Sequence, residues 1–150
     1  MLTLMGGEVR EWVERVAAFL TREYGLPPIA GRVLGRLMAC DPPEQSAAQL
    51  AEAVGASRAS LTTNLRLLVD AGLVGKRAGR GERTAYYRVD DDAWQRVIRR
   101  RIATLGSFRD ITRAGIELLE RDGGRAARVR SADAAFAWLA ETFREAGEPE

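Results

Sequence analysis

Residues 46–68 leave few folds open, because two short amphipathic segments meet there at a single glycine, Gly55. Each segment opens with a serine able to cap a helix: Ser46, with Gln49 three residues on to complete a capping box, and Ser57, directly ahead of Arg58. Leu50 and Val54 share one face of the first segment, and Leu61, Leu65 and Leu68 share one face of the second. The spacing therefore predicts a helix, a tight turn and a second helix over about residues 57–71. The opposite face of that second helix carries Arg58, Ser60, Thr62, Thr63 and Arg66, with no acid until Asp70. Short hydroxyls and arginines suit a helix lying in the major groove of DNA, where side chains donate to phosphates and base edges.

The pattern changes at residues 70–72, where Gly72 can take the left-handed conformation that stops a helix. Residues 73–77 read as a short strand, residues 78–83 as a turn dense in glycine and arginine, and residues 84–89 as a β-branched and aromatic return strand. A hairpin straight after a helix-turn-helix is a wing, here about residues 76–84. Its Lys76, Arg77, Arg80 and Arg83 would reach the adjacent backbone or the minor groove, where the negative potential of DNA is strongest. Lys76 is the least constrained, since strand alternation can turn it away. Of Tyr86 and Tyr87, alternation sends one into the wing and leaves the other exposed.

Upstream, residues 8–24 carry Trp12, Val13, Val16, Phe19 and Leu20 at helical spacing, and Gly25 follows as a C-cap. Pro28 opens a further helix with Ile29, Val33, Leu34, Leu37 and Met38 as its buried stripe. Gly31 and Gly35 lie four apart on it, where another backbone can come close. Downstream, Asp90 or Asp91 caps a helix of roughly thirty residues, about 45 Å long. Its stripe runs from Trp94 through Ile98, Leu105, Phe108 and Ile111 to Leu119, until residues 122–124 break it. Ser131 is the expected cap of a last amphipathic helix bearing Phe136, Trp138, Leu139 and Phe143, followed by an acidic tail from Glu145. A helix that long exposes more apolar surface than one small domain covers, so a two-fold dimer is expected to bury it.

Charge distribution supports the same division. The formal net charge is only +2, yet seven basic residues face two acids between Ser57 and Arg88, while the last twenty residues hold five acids and one arginine. An enzyme is not expected. The chain has no histidine, the commonest general base and metal ligand, and its one cysteine, Cys40, cannot build a thiolate zinc site or a disulfide within the chain. Residues 75–81 suggest a phosphate loop superficially but lack its Gly-Lys-Ser/Thr ending and a following helix. No apolar run is long enough to span a bilayer and no secretion signal is evident at the start, so no membrane association and a cytoplasmic location are expected.

Residues 50–88 resemble the winged helix-turn-helix of MarR-type transcriptional regulators. The resemblance rests on Leu50-Ala51-Glu52, Gly55, Ser57, Leu61-Thr62, Leu68, the turn at residues 71–74 and a basic wing ending in Tyr86-Tyr87. The preceding residues 25–37 are similar to the GbsR-type branch. The likeness implies a homodimer that binds an inverted repeat in double-stranded DNA near a promoter, usually as a repressor, often relieved by a small molecule. Asn64 departs from the pattern: it stands where an apolar residue is usual, with Leu65 taking up the packing, and it can pair with adenine where it faces out.

The fold expected is mainly α with a small β-hairpin wing, a winged helix-turn-helix flanked by N- and C-terminal dimerisation helices. One domain over 1–150 would comprise the helix 8–24, the winged motif 28–89 and the dimerisation helices 90–147. The candidate DNA contacts are Ser57, Arg58, Ser60, Thr62, Thr63, Asn64, Arg66, Lys76, Arg77, Arg80 and Arg83, with base and phosphate roles left open among them. Thr62 and Thr63 suit a phosphate or a thymine methyl, Arg58 and Arg66 a guanine or a phosphate. Arg96, Arg99, Arg100 and Arg101 either touch phosphate or pair with acids on a neighbouring helix. No cofactor or metal is expected beyond an unidentified small-molecule effector, which Trp12, Trp94, Phe108, Phe136 and Trp138 would line if they are not simply core. Cys40 is a thiol-sensor candidate without a resolving partner in the chain. The alternative is a winged-helix protein-interaction module for which DNA binding is incidental.

Overall fold

The computed structural model describes residues 6–78 and 80–147. Gly79 of the wing turn and residues 148–150 of the acidic tail lie outside them. Six helices and three short strands follow in the order α1 (Gly7–Tyr24), α2 (Pro28–Ala39), β1 (Gln45–Ser46), α3 (Ala47–Val54), α4 (Arg58–Asp70), β2 (Gly75–Ala78), β3 (Ala85–Arg88), α5 (Ala93–Arg121) and α6 (Ala127–Ala146). The chain divides into two compact units, residues 1–94 and 95–150.

In the first unit the helix ends are set by local chemistry. Gly25 ends α1 at φ 68°, its N–H reaching Thr21 O at 3.1 Å. Ser46 Oγ accepts from Gln49 N–H at 3.2 Å while Gln49 Oε1 accepts from Ser46 N–H at 2.8 Å, the two halves of a capping box. Gly55, at φ 67°, turns the chain between α3 and α4, where a side chain would strain the backbone. Ser57 Oγ then accepts from Ser60 N–H at 3.1 Å to start α4.

Leu34, Leu37, Leu50, Leu61, Leu65 and Leu68 form the core of this unit with Val33, Leu73 and Val74. On it α1 lays Val13, Ala17 and Leu20, and Gly31 makes this possible: a Cβ built there would stand 2.7 Å from Ala17 Cα. The close approach expected of Gly31 and Gly35 is therefore made between α2 and α1. The rest of the stripe expected on α1 is not core. Trp12 and Phe19 stay exposed, as does Met38 of α2, because α2 covers only the Val13–Ala17–Leu20 side.

The wing is a three-stranded antiparallel sheet of order β1-β3-β2, in which Arg77 stands opposite Tyr86 and Lys76 opposite Tyr87. The two-residue β1 pairs Gln45 with Tyr87 and Ser46 with Tyr86. Ser46 thus closes the sheet and caps α3 at once. With a strand on either side of β3, both tyrosines are half-buried, rather than one packed and one exposed.

The second unit is a helical hairpin. Gly115 faces Val129, Thr112 binds Asp133 and the Phe108 ring meets that of Phe136 edge-on at 5.0 Å. These pairs climb one helix as they descend the other, so α5 and α6 run antiparallel. Ser131 is not the cap expected: α6 starts at Ala127 and Ser131 Oγ donates back to Ala127 O at 3.2 Å. Gly123 and Gly124, at φ 88° and 70°, reverse the chain so tightly that the next helix begins sooner than the serine. Apolar side chains remain uncovered in this unit, among them Trp138 at 68% exposed and Ile111 at 65%. No helix of the described residues is long and apolar enough to cross a membrane.

Candidate nucleic-acid interface

Helix α4 turns Leu61, Asn64, Leu65 and Leu68 inward and exposes Arg58, Thr62, Thr63 and Arg66. The apolar positions recur at three and four, so the leucines define the buried side and leave the cations and hydroxyls a common face. Ser57 is exposed but its Oγ is engaged as the cap, and Ser60 is half-buried at the border of that face.

Asn64 is a correction to the expected site. Its side chain is only 8% exposed, and Nδ2 donates to Ser60 O at 2.8 Å. It lies among the leucines on the buried arc of the helix, so it offers no amide to a base in this arrangement. Its Oδ1 is buried and has no hydrogen-bond partner among the described residues.

In the wing, Lys76, Arg80 and Arg83 are exposed. None of these three, nor Arg58 or Arg66, has a carboxylate within ion-pair distance among the described residues. Arg77 differs. Its Nη2 donates to Glu44 Oε2 at 2.7 Å, and its guanidinium lies 5.6 Å from the centre of the Tyr86 ring. The sheet register explains the arrangement: Arg77 and Arg88 share a face, and Glu44, one residue before β1, reaches both, at 3.7 Å from Arg88 Nη1. The hydrogen bond from Arg77, with Arg88 beside it, holds the Glu44 carboxyl below the usual carboxylate range, and Glu44 in turn raises Arg77. Because the pair is well hydrated, it orients the wing more than it stabilises the fold. Sequence reasoning missed Glu44, and an acid ahead of a strand is no signal until the register of that strand is known.

The aromatic residues and Cys40 lie elsewhere. Trp12 and Trp94 line a hollow of about 550 Å³ in the first unit with Val16, Phe19, Tyr24 and Met38, whereas Phe108, Phe136 and Trp138 belong to the helical hairpin. Cys40 is half-buried, with Sγ 3.6 Å from Leu37 O and Pro43 O, and burial pushes its thiol pKa up, away from the reactive thiolate.

A family profile for MmpR5-like MarR family transcriptional regulators matches residues 92–148, and the MarR family profile matches residues 24–83. Over 145 residues the chain is 31% identical to the HTH-type transcriptional regulator MmpR5 of Mycobacterium tuberculosis, which spans 95% of this chain and 87% of that protein. A crystal structure of a transcriptional regulator aligns over 93% of this chain and 95% of its own, with 30% identity and a TM-score of 0.75. TrmBL2, an archaeal chromatin protein, aligns over 73% of this chain and 40% of its own at 18% identity and a TM-score of 0.60, a likeness of fold alone.

Proposed function

Because the chain belongs to the MarR family of transcriptional regulators, we propose that it is a sequence-specific DNA-binding regulator that acts as a homodimer on an inverted repeat and represses transcription. Helix α4 enters the major groove and the wing lies on the neighbouring backbone or minor groove. The observation that carries this reading is the grouping, on one helix and the adjoining wing, of exposed cations that have no carboxylate partner among the described residues: Arg58 and Arg66 on α4, and Lys76, Arg80 and Arg83 on the wing. Arginine on a surface ordinarily acquires an acidic neighbour or stays hydrated, and a row of them beside a groove-sized helix is matched by phosphate.

The homodimer is supported by the apolar surface of the second unit, where a groove of about 750 Å³ opens between α5 and α6, lined by Ile98, Ile102, Leu139 and Phe143. Two copies of α4 would then read two half-sites, whose spacing reports the dimer directly. Effector gating belongs to the same reading, with the aromatic hollow around Trp12 and Trp94 as the ligand-sized space. Residues 25–37 support an affinity with the GbsR-type branch inside the family. The protein would act in the cytoplasm.

Selection of bound fragments from a random duplex library by the purified protein tests the proposal. A symmetric motif with a spacing near one helical turn is expected, and absence of any enriched sequence would reject it. An effector must raise the melting temperature while weakening operator affinity, since a ligand acts only through unequal affinity for two states.

A further inference from the structure

The front of α4 carries three small side chains, each bearing a methyl group, on its exposed face. Ala59, Thr62 and Thr63 are all exposed, and 59 neighbours both 62 and 63 at the three- and four-residue spacing of a helix face. The two threonines do not offer free donors. Thr62 Oγ1 donates to Arg58 O at 2.8 Å and Thr63 Oγ1 to Ala59 O at 3.2 Å. A hydroxyl has one proton, and once it is committed to a carbonyl of its own helix it has none for a phosphate or a base. What remains at these exposed positions is the methyl group and acceptor lone pairs. Asn64, the amide that could have read adenine, is withdrawn among the leucines. The only cationic donors on the exposed face are Arg58 and Arg66, one on each side of the methyl cluster along the helix.

Resting on the DNA-binding reading above, we infer that α4 chooses its half-site by packing Ala59, Thr62 and Thr63 against thymine methyl groups, with Arg58 and Arg66 supplying the hydrogen bonds on either side. The chemistry is matched on the DNA side. The thymine C5-methyl is the one apolar group on the floor of the major groove, and alanine and threonine methyls are the side-chain groups that meet it. The cluster also occupies the first two turns of α4, the part of such a helix that approaches base edges.

The test uses the full chain and a duplex selected from a random library. Each thymine of the selected half-sites is replaced in turn by deoxyuridine, which removes only the methyl. Every contacted methyl should cost about fourfold in affinity, the value of one buried carbon. The variant combining Thr62→Val and Thr63→Val should keep the preference for thymine over deoxyuridine, and the one combining Thr62→Ser and Thr63→Ser should lose most of it. Equal binding of the thymine and deoxyuridine duplexes at every position, half-sites without thymine, or a serine variant that keeps the full preference would overturn the inference while leaving DNA binding intact. Failure of the unaltered protein to select any duplex would instead overturn the DNA-binding reading, and this inference with it. Deoxyuridine alters the DNA alone, so its effect on affinity does not depend on how any variant folds.

Discussion

The Glu44 carboxylate accepts a hydrogen bond from Arg77 at 2.7 Å, joining the residue just ahead of β1 to a wing strand thirty-three positions later. Arg77 is thereby held over Tyr86 and its charge is already matched, so phosphate has to compete with Glu44 for it. Glu44→Gln should release it. Plotted against the logarithm of salt concentration, the logarithm of DNA affinity should then fall more steeply, by about 0.9 in slope for one further phosphate neutralised. Fluorescence anisotropy across a salt series reads this directly, and an unchanged slope would mean that Arg77 does not reach DNA.

Arg80 and Arg83 have no such partner among the described residues. Replacing both with alanine should weaken binding to specific and unrelated duplexes alike, with the salt slope shallower by about 0.9 for each phosphate no longer neutralised. A mobility-shift titration showing full affinity for the double variant would remove the wing from the interface.

Gly31 and Gly35 should respond differently to the same substitution. A new Cβ at 31 meets the Ala17 backbone at 2.7 Å, whereas at 35 the nearest atom is Val13 Cγ1 at 3.2 Å, a contact that a shift of a few tenths of an ångström relieves. Alanine gains about 1 kcal/mol of helix propensity over glycine, while overpacking against a backbone costs roughly 1–3 kcal/mol. Gly31→Ala should therefore lower the melting temperature and Gly35→Ala leave it nearly unchanged. Paired thermal unfolding curves decide it.

Asn64→Leu tests the inward orientation of Asn64. Leucine has the same branching and removes the buried Oδ1 that has no hydrogen-bond partner among the described residues, at the loss of one hydrogen bond to Ser60 O. Exchanging a half-satisfied polar group for an apolar one of similar shape is near neutral or stabilising. Operator affinity and base preference should be retained, as measured on the selected duplex. Loss of preference for adenine at one position would show that the amide reaches DNA after all.

The hairpin of α5 and α6 contains a buried hydroxyl and a carboxylate that act together. Thr112 Oγ1 donates to Asp133 Oδ1 at 2.7 Å, with Arg109 Nη2 3.4 Å from the other oxygen. These partners, Thr112 first and then Arg109, hold the Asp133 carboxyl below the usual range. A group depressed in the folded state binds protons less readily there than in the unfolded chain. Its contribution is therefore complete above the unfolded value and is lost as pH falls through the folded one. Thermal unfolding should show the native protein losing stability on acidification below the ordinary aspartate range. Asp133→Asn should be less stable at neutral pH and show a smaller loss over that same interval.

What the amino-acid order determined by itself was most of what is set within about four residues, the Ser131 cap excepted. The Ser46–Gln49 capping box, the Ser57 cap and the glycine turns at 25, 55 and 72 all depend on groups a few bonds apart, and each stands where the local pattern puts it. The basic face of α4 was legible for the same reason, since the leucine spacing leaves Arg58, Thr62, Thr63 and Arg66 together. Tertiary structure alone decided the rest. It added β1, which exists only because Tyr86 and Tyr87 arrive forty residues later to pair with it. It turned Asn64 inward, because the surrounding leucines fix the rotation of α4 against the core. It bound Arg77 to Glu44 through a strand register that no local pattern encodes, and it left Trp12 and Phe19 outside because α2 covers only one side of α1. Local hydrogen bonds carry their partners with them along the chain, whereas burial and pairing depend on which distant surface comes to rest alongside.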